Sequence, residues 1–380
     1  MKKIYLDNGA TSFPKPKCVG EAILNYIDNL GTSVNRGAYE TAYSVANTVF
    51  ETRELICDLF NFDQPENVIF TKNITESLNV LIKGLLKRGD HVVVSSMEHN
   101  AVMRPLNSLN INISKAKCNK FGDLDMEDFK LQLKENTRAV IMTHASNVCG
   151  TILNLEEVGR ICQEKNIIFI IDTAQTAGFL DLDYKKLGAD AIAFTGHKSL
   201  LGPQGIGGFI INDKLVKIIP SLIDGGTGSL SEVERQPNYM PDKYEAGTPN
   251  VLGIFGLNAS IKYLNEIGLK NIRQKEYDLL TIFLDEIKQI NGIDIVGKDT
   301  YEERTGTISL DFFDKDNGEV AYKLGNDYGI MTRSGMHCAP SAHKTLGTFP
   351  QGTVRFSFSH FNTKDEIYYT IDSIKKIMEE

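Results

Sequence analysis

The feature that most constrains the fold is an alternation of short aliphatic runs with longer segments of helical spacing, which begins near residue 68. The first run is Val68–Thr71, and residues 75–86 after it have the spacing of a helix. Such an alternation is typical of β-α units, in which each parallel strand needs a crossover connection. The sequence therefore predicts a mostly parallel sheet.

Further elements follow the same pattern along the chain. We expect strands at 91–95, 138–143, 167–172 and 189–195, a helix at 155–165, and an antiparallel strand at 206–211. Residues 225–250 lack a period and predict a long functional loop. Residues 252–288 predict two long helices, and the alternating pattern of 305–379 predicts a smaller α+β domain.

Composition narrows the classes of function. The chain of 380 residues has 41 Lys and Arg against 49 Asp and Glu, and this acidic balance without a basic cluster argues against a nucleic-acid partner.

The longest apolar run, 167–171, is far shorter than the ~20 residues of a membrane span. Residues 1–7 lack a secretory signal, so we expect a cytoplasmic protein with no membrane partner. Six cysteines without C-x-x-C pairs predict reduced thiols and no metal site.

Two charged residues close predicted strands of the sheet. Desolvation at a strand end lowers the pKa of an amine, so Lys198 could form a Schiff base, although a surface-loop lysine is equally compatible with the sequence. Asp172 ends the preceding apolar strand, where it could keep a pyridine nitrogen protonated or cap the next helix. The 26 residues between them correspond to one β-α-β unit, so both can reach the same sheet edge, where ligands bind.

Other polar residues near this edge could bind a phosphate or an aromatic ring. Thr195 and His197 could donate hydrogen bonds to a phosphate. Thr75 and Glu76 open a helix whose free N–H groups suit an anion, although an ordinary Thr N-cap is favoured for that motif alone. His99 could stack on a flat cofactor, but a lone loop histidine is more often structurally neutral.

The C-terminal region holds a thiol and a guanidinium of interest. Cys338 follows His337 in a glycine-containing loop, which suggests a mobile, partly exposed nucleophile; a buried, inert cysteine is the usual alternative. Arg355 lies in the alternating strand pattern of 354–359. It could bind a substrate carboxylate with two parallel hydrogen bonds, or form a structural ion pair.

Together these motifs resemble the class V aminotransferase fold family of pyridoxal-phosphate enzymes, and within it the cysteine desulfurases and selenocysteine lyases. The resemblance covers nearly the whole chain, and the order and spacing of the motifs carry it. The motifs are Tyr5-Leu-Asp-Asn-Gly-Ala-Thr-Ser12, Asn35-Arg-Gly37, Thr75-Glu76, Glu98-His99, Ser146-Asn-Val-Cys-Gly-Thr151, Asp172-Thr-Ala-Gln175, Thr195-Gly-His-Lys198, Gly247-Thr248, Arg333-Ser-Gly-Met-His-Cys338 and Arg355.

The resemblance implies the α/β, type I pyridoxal-phosphate transferase fold. A large domain with a mostly parallel central sheet would span 20–260, and a small α+β C-terminal domain would combine 1–19 with 261–380. It also implies a homodimer with pyridoxal 5'-phosphate at the subunit interface. L-cysteine or L-selenocysteine would be the substrate, and a sulfur-acceptor protein the partner, as in iron-sulfur cluster assembly.

The resemblance further implies a role for each site residue. Lys198 would bind the cofactor covalently and return a proton to release alanine, while Cys338 would take the sulfur or selenium as a persulfide or its selenium counterpart. Asp172 would contact the pyridinium nitrogen, Gln175 the ring hydroxyl and His99 the ring face. The remaining implied contacts are Thr75, Glu76, Thr195, His197 and the partner subunit's Thr248 for the cofactor, and Asn147, Arg355, Arg333, Asn35 and Arg36 for the substrate.

The sequence differs from the Suf-type branch of this family in three places. Met336 replaces a usual His, three residues separate Lys198 from Gly202 where that branch has two, and the loop at 225–237 resembles a less characterised subgroup. Sulfur donor and acceptor are therefore open at this point. The alternatives to a cysteine desulfurase are a selenocysteine lyase and, from another class, a non-catalytic scaffold that binds a partner through residues 225–250.

Overall fold

The computed structural model describes residues 3–34 and 37–380. Asn35 and Arg36, predicted to contact the substrate, lie outside the described residues. The N-terminal part consists of strand β1 (Ile4–Tyr5), helix α1 (Lys17–Asn25), a π-helix (Tyr26–Leu30), helix α2 (Glu40–Phe60) and a 3-10 turn (Pro65–Asn67).

The largest sheet has seven strands: β2 (Val68–Thr71), β3 (His91–Ser95), β4 (Asn112–Ala116), β5 (Thr137–Thr143), β6 (Ile168–Asp172), β7 (Ala191–Thr195) and β8 (Gly207–Ile211). Their order is β2-β8-β7-β6-β5-β3-β4. Strand β8 pairs antiparallel with β2 and β7, and the other pairs are parallel. The predicted mostly parallel sheet and the antiparallel return near 206–211 are both confirmed.

Apart from the partly exposed edge strand β4, the strands of this sheet are buried on both faces, which explains why they are largely apolar without alternation. In β6, Phe169 and Ile171 join one apolar cluster, while Ile168 and Ile170 join the cluster on the opposite face. The helices of this part are α3 (Ile74–Leu85), α4 (Asn100–Ser108), α5 (Met126–Gln132), α6 (Leu155–Glu164), α7 (Tyr184–Leu187) and α8 (Asp213–Ile218).

The register of the central strands brings polar residues together at one edge. Thr143, the last residue of β5, lies opposite Asp172, the last residue of β6, and Asp172 lies opposite Ala193 of β7. The next polar residue of β7 is Thr195 at its end. The carboxyl ends of three neighbouring parallel strands thus define a ligand-binding edge of the usual kind.

Residues 225–250 contain no helix or strand, as the sequence predicts. The two long helices expected after this loop are α9 (Val251–Ile267) and α10 (Leu269–Ile287). They are separated at Gly268, whose φ of 85° lies in a region that favours glycine.

The C-terminal part adds β9 (Ile293–Val296), β10 (Thr307–Phe312), α11 (Asn317–Asp327), β11 (Ile330–Met331), β12 (Arg333–Gly335), α12 (Pro340–Leu346), β13 (Thr353–Ser357) and α13 (Lys364–Glu379). Strands β12-β13-β10-β9 form an antiparallel sheet, and β1 pairs parallel with β11. Ile4 and Leu6 share an apolar cluster with residues of this C-terminal part. The division into 20–260 and 1–19 with 261–380 stays a prediction.

Within residues 3–34 and 37–380, no helix combines the length and the apolar character needed to cross a bilayer.

Glu245 connects the 225–250 loop to the large sheet. Its carboxylate forms an ion pair with Arg53 of α2 at 2.7 Å and accepts a hydrogen bond from the Phe70 N–H of β2 at 2.8 Å. The side chains of Glu245 and Arg53 are only 14% and 6% exposed. Loss of one partner would leave a buried charge without compensation.

We therefore expect Glu245→Ala to lower the free energy of unfolding by about 3 kcal/mol, because Arg53 keeps its buried charge. Urea denaturation of the cofactor-free protein measures this change. The control is Glu66→Ala at an exposed position of the 3-10 turn, which should change stability by less than about 0.5 kcal/mol. Equal effects of the two substitutions would contradict the proposed anchoring.

Candidate active site

A cavity of about 690 Å³ lies at the carboxyl edge of β5, β6 and β7. It brings together most of the residues that the sequence predicts to form the site: Thr75, His99, Asn147, Asp172, Gln175, Thr195, His197, Lys198, Arg333, Cys338 and Arg355. Two predicted residues lie elsewhere. Glu76 and Thr248 line a separate cavity of about 320 Å³ beside the 225–250 loop.

Lys198 lies in a tight turn after β7. The Leu201 N–H donates to the Lys198 carbonyl at 2.8 Å, and Leu201 itself has a φ of 58°. Burial lowers the pKa of the Lys198 amine to about 8, and the nearby Asp172 carboxylate opposes this shift. A substantial neutral fraction near physiological pH suits a nucleophilic amine, and the alternative of a surface-loop lysine is wrong.

Asp172 is buried at the end of β6, and its Oδ1 accepts a hydrogen bond from the Ala174 N–H at 2.8 Å. Burial raises the pKa of this carboxyl, whereas the N–H bond and Lys198 lower it. A turn follows, and the next helix, α7, begins only at Tyr184, so the helix-cap alternative is wrong. A positive group in the cavity would favour the ionised carboxylate.

Glu98 is a buried residue beside this centre to which the sequence assigned no role. Both of its carboxyl oxygens lie 3.0 Å from the Thr143 N–H, and Ser95 Oγ donates to Oε1. Burial raises the pKa of Glu98 to about 8, and the Asp172 charge acts in the same direction. Glu98 thus ties the end of β3 to the end of β5. In the sequence, the pattern Ser95-x-x-Glu98 at the end of the predicted strand 91–95 is the signal that could have identified this buried carboxyl.

One corner of the cavity offers unpaired hydrogen-bonding groups. Thr195 Oγ1 and His197 Nδ1 are buried and have no hydrogen-bond partner within the described ranges. Burial, reinforced by Lys198 and Lys15, lowers the pKa of His197 to about 4, so its imidazole is neutral. Thr75 adds the first turn of α3 to this corner. Such groups suit an anionic ligand.

The N-cap of α3 differs from the expected one. It is Asn73, whose side chain accepts a hydrogen bond from the Glu76 N–H at 3.0 Å, so the expectation of a Thr75 N-cap is wrong. The Glu76 carboxylate accepts from the Lys72 N–H at 2.6 Å. Glu76 therefore stabilises the start of the helix from outside the main cavity.

His99 and Gln175 contribute polar groups to the walls. His99 is the N-cap of α4, and its Nδ1 accepts from the Ala101 N–H at 3.0 Å. Burial, then Lys198, lowers the pKa of His99 to about 4, which leaves a neutral ring in the cavity. Gln175 Nε2 donates to the Gly9 carbonyl at 3.2 Å and so joins the N-terminal segment to the site.

Arg355 on β13 is almost fully buried and forms an ion pair with Asp7 at 2.8 Å. Its Nη1 donates to the Asn147 carbonyl at 3.0 Å, and its Nε finds no partner in the part of the chain that is described. Asp7 also pairs with the half-exposed Arg333 at 3.0 Å. The structural ion pair expected as an alternative is confirmed for Arg355, which lines the cavity as well. The sequence predicts no separate role for Asp7, which belongs to the Tyr5–Ser12 motif.

Cys338 stands at the mouth of the cavity in an unusual backbone conformation. His337 and Cys338 have φ values of 47° and 57°, which side-chain-bearing residues rarely adopt. The Asn100 N–H donates to the Cys338 carbonyl at 2.8 Å, and Asn147 Nδ2 donates to the His337 carbonyl at 2.7 Å. Among the six cysteines Cys338 is the exposed one, so the buried alternative is wrong.

The imidazole of His337 does not act as a cation that would activate the Cys338 thiol. Its Nε2 forms a hydrogen bond with Thr353 Oγ1 at 3.1 Å, and the side chain is buried. Burial, with Arg355 next in weight, holds the pKa of His337 well below its usual range. The ring is therefore neutral, and the thiol gains no imidazolium partner from it.

Comparison with known proteins gives consistent results. The family profile described as Aminotransferase class-V matches residues 4–369. The chain is 33% identical to a protein named probable cysteine desulfurase from Methanothermobacter thermautotrophicus, over 98% of this chain and 94% of that protein. A protein of the same name from Pyrococcus abyssi is 35% identical, over 96% and 91% of the two chains.

A solved structure extends the similarity to three dimensions. The apo structure of a cysteine desulfurase from Thermococcus onnurineus has a TM-score of 0.93 and 32% identity, over 99% of this chain and 95% of that one. The predicted fold class is thereby confirmed. Enzymes of the matching family depend on pyridoxal phosphate. The chain belongs to the class V aminotransferase family, in the group of the cysteine desulfurases.

Proposed function

We propose that this protein is a pyridoxal-phosphate-dependent cysteine desulfurase, which transfers sulfur from L-cysteine to Cys338 and releases L-alanine. The observation that carries the proposal is that the buried amine of Lys198 and the exposed thiol of Cys338 line one cavity. Amine, carboxylate, guanidinium and thiol are the four kinds of group that this reaction needs. The relatives named cysteine desulfurase support L-cysteine as the substrate.

The residues of the cavity fit the cofactor. Thr195 Oγ1, His197 Nδ1 and the first turn of α3 offer donors to its phosphate. Asp172 would face its ring nitrogen, and Lys198 would bind its aldehyde carbon. When bound, pyridoxal phosphate supplies an electron-withdrawing ring that makes the substrate Cα–H bond acidic.

Arg355 and Arg333 would bind the carboxylate of the substrate. Both guanidinium groups share a single carboxylate, Asp7, so one positive charge is left over for an anion. The unpartnered Nε of Arg355 is a buried donor that such an anion would satisfy. Asn147 fixes this arrangement, since its carbonyl accepts from Arg355 and its amide donates to the Cys338 loop.

The protein supplies one amine that can transfer protons and one nucleophile. Lys198 Nζ, with a pKa of about 8, can accept and return a proton near neutral pH. His99 stays neutral beside it. The Cys338 thiolate would attack the substrate sulfur, so that an S–S bond forms as the carbon–sulfur bond breaks. The electron pair of the broken bond would stay on the carbon atom, which Lys198 would protonate to give alanine. The persulfide sulfur then passes to an acceptor thiol or reductant, and exposure of Cys338 allows this transfer.

The proposal includes a cytoplasmic homodimer that serves a sulfur-acceptor protein, as in iron-sulfur cluster assembly. In the dimer Thr248 would complete the cofactor site of the partner subunit. Its position supports this, because Thr248 lies beside the exposed apolar side chains of Leu222 and Ile223 around the second cavity. Apolar surface of this kind is typical of an interface.

The first prediction concerns the nucleophile. Cys338→Ala should lower alanine and sulfide production from L-cysteine at least about 100-fold, because no thiol remains to accept the sulfur. The visible absorption of the bound cofactor should persist. The matched control Cys18→Ala removes a half-buried thiol outside the cavity and should leave the rate unchanged. Full activity of the Cys338 variant would refute the assigned nucleophile.

The choice of substrate is tested with the wild-type protein. L-cysteine and L-selenocysteine are compared at equal concentration, with alanine as the common product. We expect measurable turnover of L-cysteine. Alanine formed only from L-selenocysteine would instead indicate a selenocysteine lyase.

The second prediction concerns the amine. Wild-type protein incubated with pyridoxal phosphate should gain a visible band that borohydride reduction fixes to the peptide containing Lys198. Lys198→Ala should lack both the band and the labelled peptide, whereas Lys217→Ala, at an exposed position of α8, should keep them. A labelled peptide elsewhere, found by mass spectrometry, would overturn the assignment.

The third prediction concerns stability and pH. The pKa of Lys198 is lowered from 10.5 to about 8 in the folded protein, so the charged amine costs stability below pH 8 and this cost disappears as the pH rises towards 10.5. In the cofactor-free protein at pH 7, Lys198→Met should therefore raise the free energy of unfolding by about 2 kcal/mol. Urea denaturation at pH 7 and pH 10 should show the gain shrinking. A gain independent of pH would contradict this account.

A further inference from the structure

The peptide group between His197 and Lys198 is held in an unusual way. Its carbonyl oxygen, on His197, lies within hydrogen-bond distance of several donors from one short N-terminal segment. They are the Ser12 N–H at 2.9 Å, Ser12 Oγ at 3.2 Å, Thr11 Oγ1 at 3.2 Å and Lys15 Nζ at 2.9 Å. A carbonyl has two lone pairs, so this oxygen is fully used. We call Thr11, Ser12 and Lys15 the N-terminal clamp.

Lys15 is the charged member of the clamp. Besides the His197 carbonyl, its amine donates to Ser12 Oγ at 2.6 Å. It forms no ion pair with any described carboxylate, and burial lowers its pKa to about 8. Burial of an ammonium without an anion costs stability, and such a cost is typical of a residue that serves the site.

The clamp is itself anchored to the C-terminal sheet. Tyr5 Oη donates to the Thr11 carbonyl at 2.8 Å, and the Phe13 N–H donates to Asn8 Oδ1 at 3.1 Å. Asn8 Nδ2 in turn donates to the Ser357 carbonyl of β13 at 2.9 Å. Strand β13 also carries Arg355. The clamp therefore places the Lys198 turn relative to the strand that would bind the substrate.

Both peptide groups that flank the Lys198 side chain are thus fixed. The clamp holds the one before it, and the Leu201 N–H holds the one after it. The side chain of a lysine already has four rotatable bonds. A fixed backbone prevents further displacement of the amine by motion of the turn. Small misplacements of a reacting group can cost about 100-fold in rate.

We propose that Lys15 is a positioning residue, which together with Thr11 and Ser12 fixes the His197–Lys198 peptide and directs the Lys198 amine and the His197 imidazole into the cavity. This inference rests on the proposed function, since it concerns the same amine. Lys15 does not line the cavity, and its contact with the Lys198 turn is the hydrogen bond to the His197 carbonyl.

The experiment compares Lys15→Met with Lys15→Arg, which keeps the charge and a donor, and with the matched control Lys17→Met. Lys17 is exposed at the first position of α1, two residues from Lys15. Two readouts are taken on the cofactor-loaded proteins: the pH titration of the visible absorption band, and kcat and KM for alanine formation from L-cysteine.

For Lys15→Met we expect kcat to fall roughly tenfold while KM changes less than about twofold, because the groups that would bind the substrate carboxylate are untouched. The midpoint of the absorption titration should rise by roughly half a pH unit or more, because the nitrogen that Lys198 contributes would be better solvated once its turn is loosened, and better solvation favours the protonated, charged form. Lys15→Arg should restore most of both quantities, and Lys17→Met should match the wild type.

A titration midpoint and a kcat equal to those of the wild type in Lys15→Met would overturn the proposal, even if its melting temperature were lower. If Lys15→Met does not fold, the test uses Thr11→Val, which removes one donor to the His197 carbonyl. This variant should lower kcat and raise the titration midpoint, each by less than is expected for Lys15→Met. The wild type is the check on the proposed function. Absence of its absorption band would refute that function, whereas a normal wild type with unaffected variants would refute only the clamp.

Discussion

The constraint on which the site depends is the burial of several cations next to few anions. Lys198, Arg355 and Lys15 all have a pKa lowered chiefly by burial. A buried charge that lacks compensation costs several kcal/mol, so each must find hydrogen-bond acceptors or a carboxylate. Asp172 acts on Lys198 and Asp7 pairs with Arg355, while Lys15 finds only a carbonyl and a hydroxyl among residues 3–34 and 37–380. The surplus of positive charge leaves the cavity suited to a phosphate and a carboxylate.

This charge pattern requires that distant parts of the chain meet. The large sheet supplies Asp172, Thr195 and Lys198 from the carboxyl ends of neighbouring strands, while β13 supplies Arg355. The N-terminal segment joins the two. Asp7 contacts Arg355, the Gly9 carbonyl accepts from Gln175, and residues 11–15 hold the turn of Lys198. A short segment at the start of the chain thereby fixes the distance between the side that would bind the cofactor and the side that would bind the substrate.

Much of the fold and of the candidate site could be predicted from the sequence. Contacts between residues far apart in the chain could not, because no local pattern encodes them. Apolar β-branched runs locate every strand of the large sheet except the partly exposed edge strand β4, because the other strands are buried on both faces. Motifs at the strand ends locate Asp172 and Lys198. Helix α2 was not predicted because it precedes the first such run. Its buried residues Val45, Val49, Ile56 and Phe60 nevertheless have helical spacing. The partnership of Asp7 with Arg355 joins residues 348 positions apart, and no local pattern encodes it. Glu76 shows the opposite case, since a family motif selected it while it lines a different cavity from Lys198 and Asp172.

In the proposed reaction, the amine and the thiol would work in two different environments. Proton transfer at Lys198 would benefit from a site with little water, because exclusion of water depresses the pKa of the amine and strengthens its interaction with Asp172. Sulfur transfer would need contact with an acceptor outside, and Cys338 is exposed. The left-handed backbone at His337 and Cys338 costs of order 1–3 kcal/mol for each residue, and bonds from Asn100 and Asn147 to their carbonyls offset part of it. Because the Asn147 carbonyl also accepts from Arg355, this one residue joins the strained thiol loop to the guanidinium that would bind the substrate carboxylate.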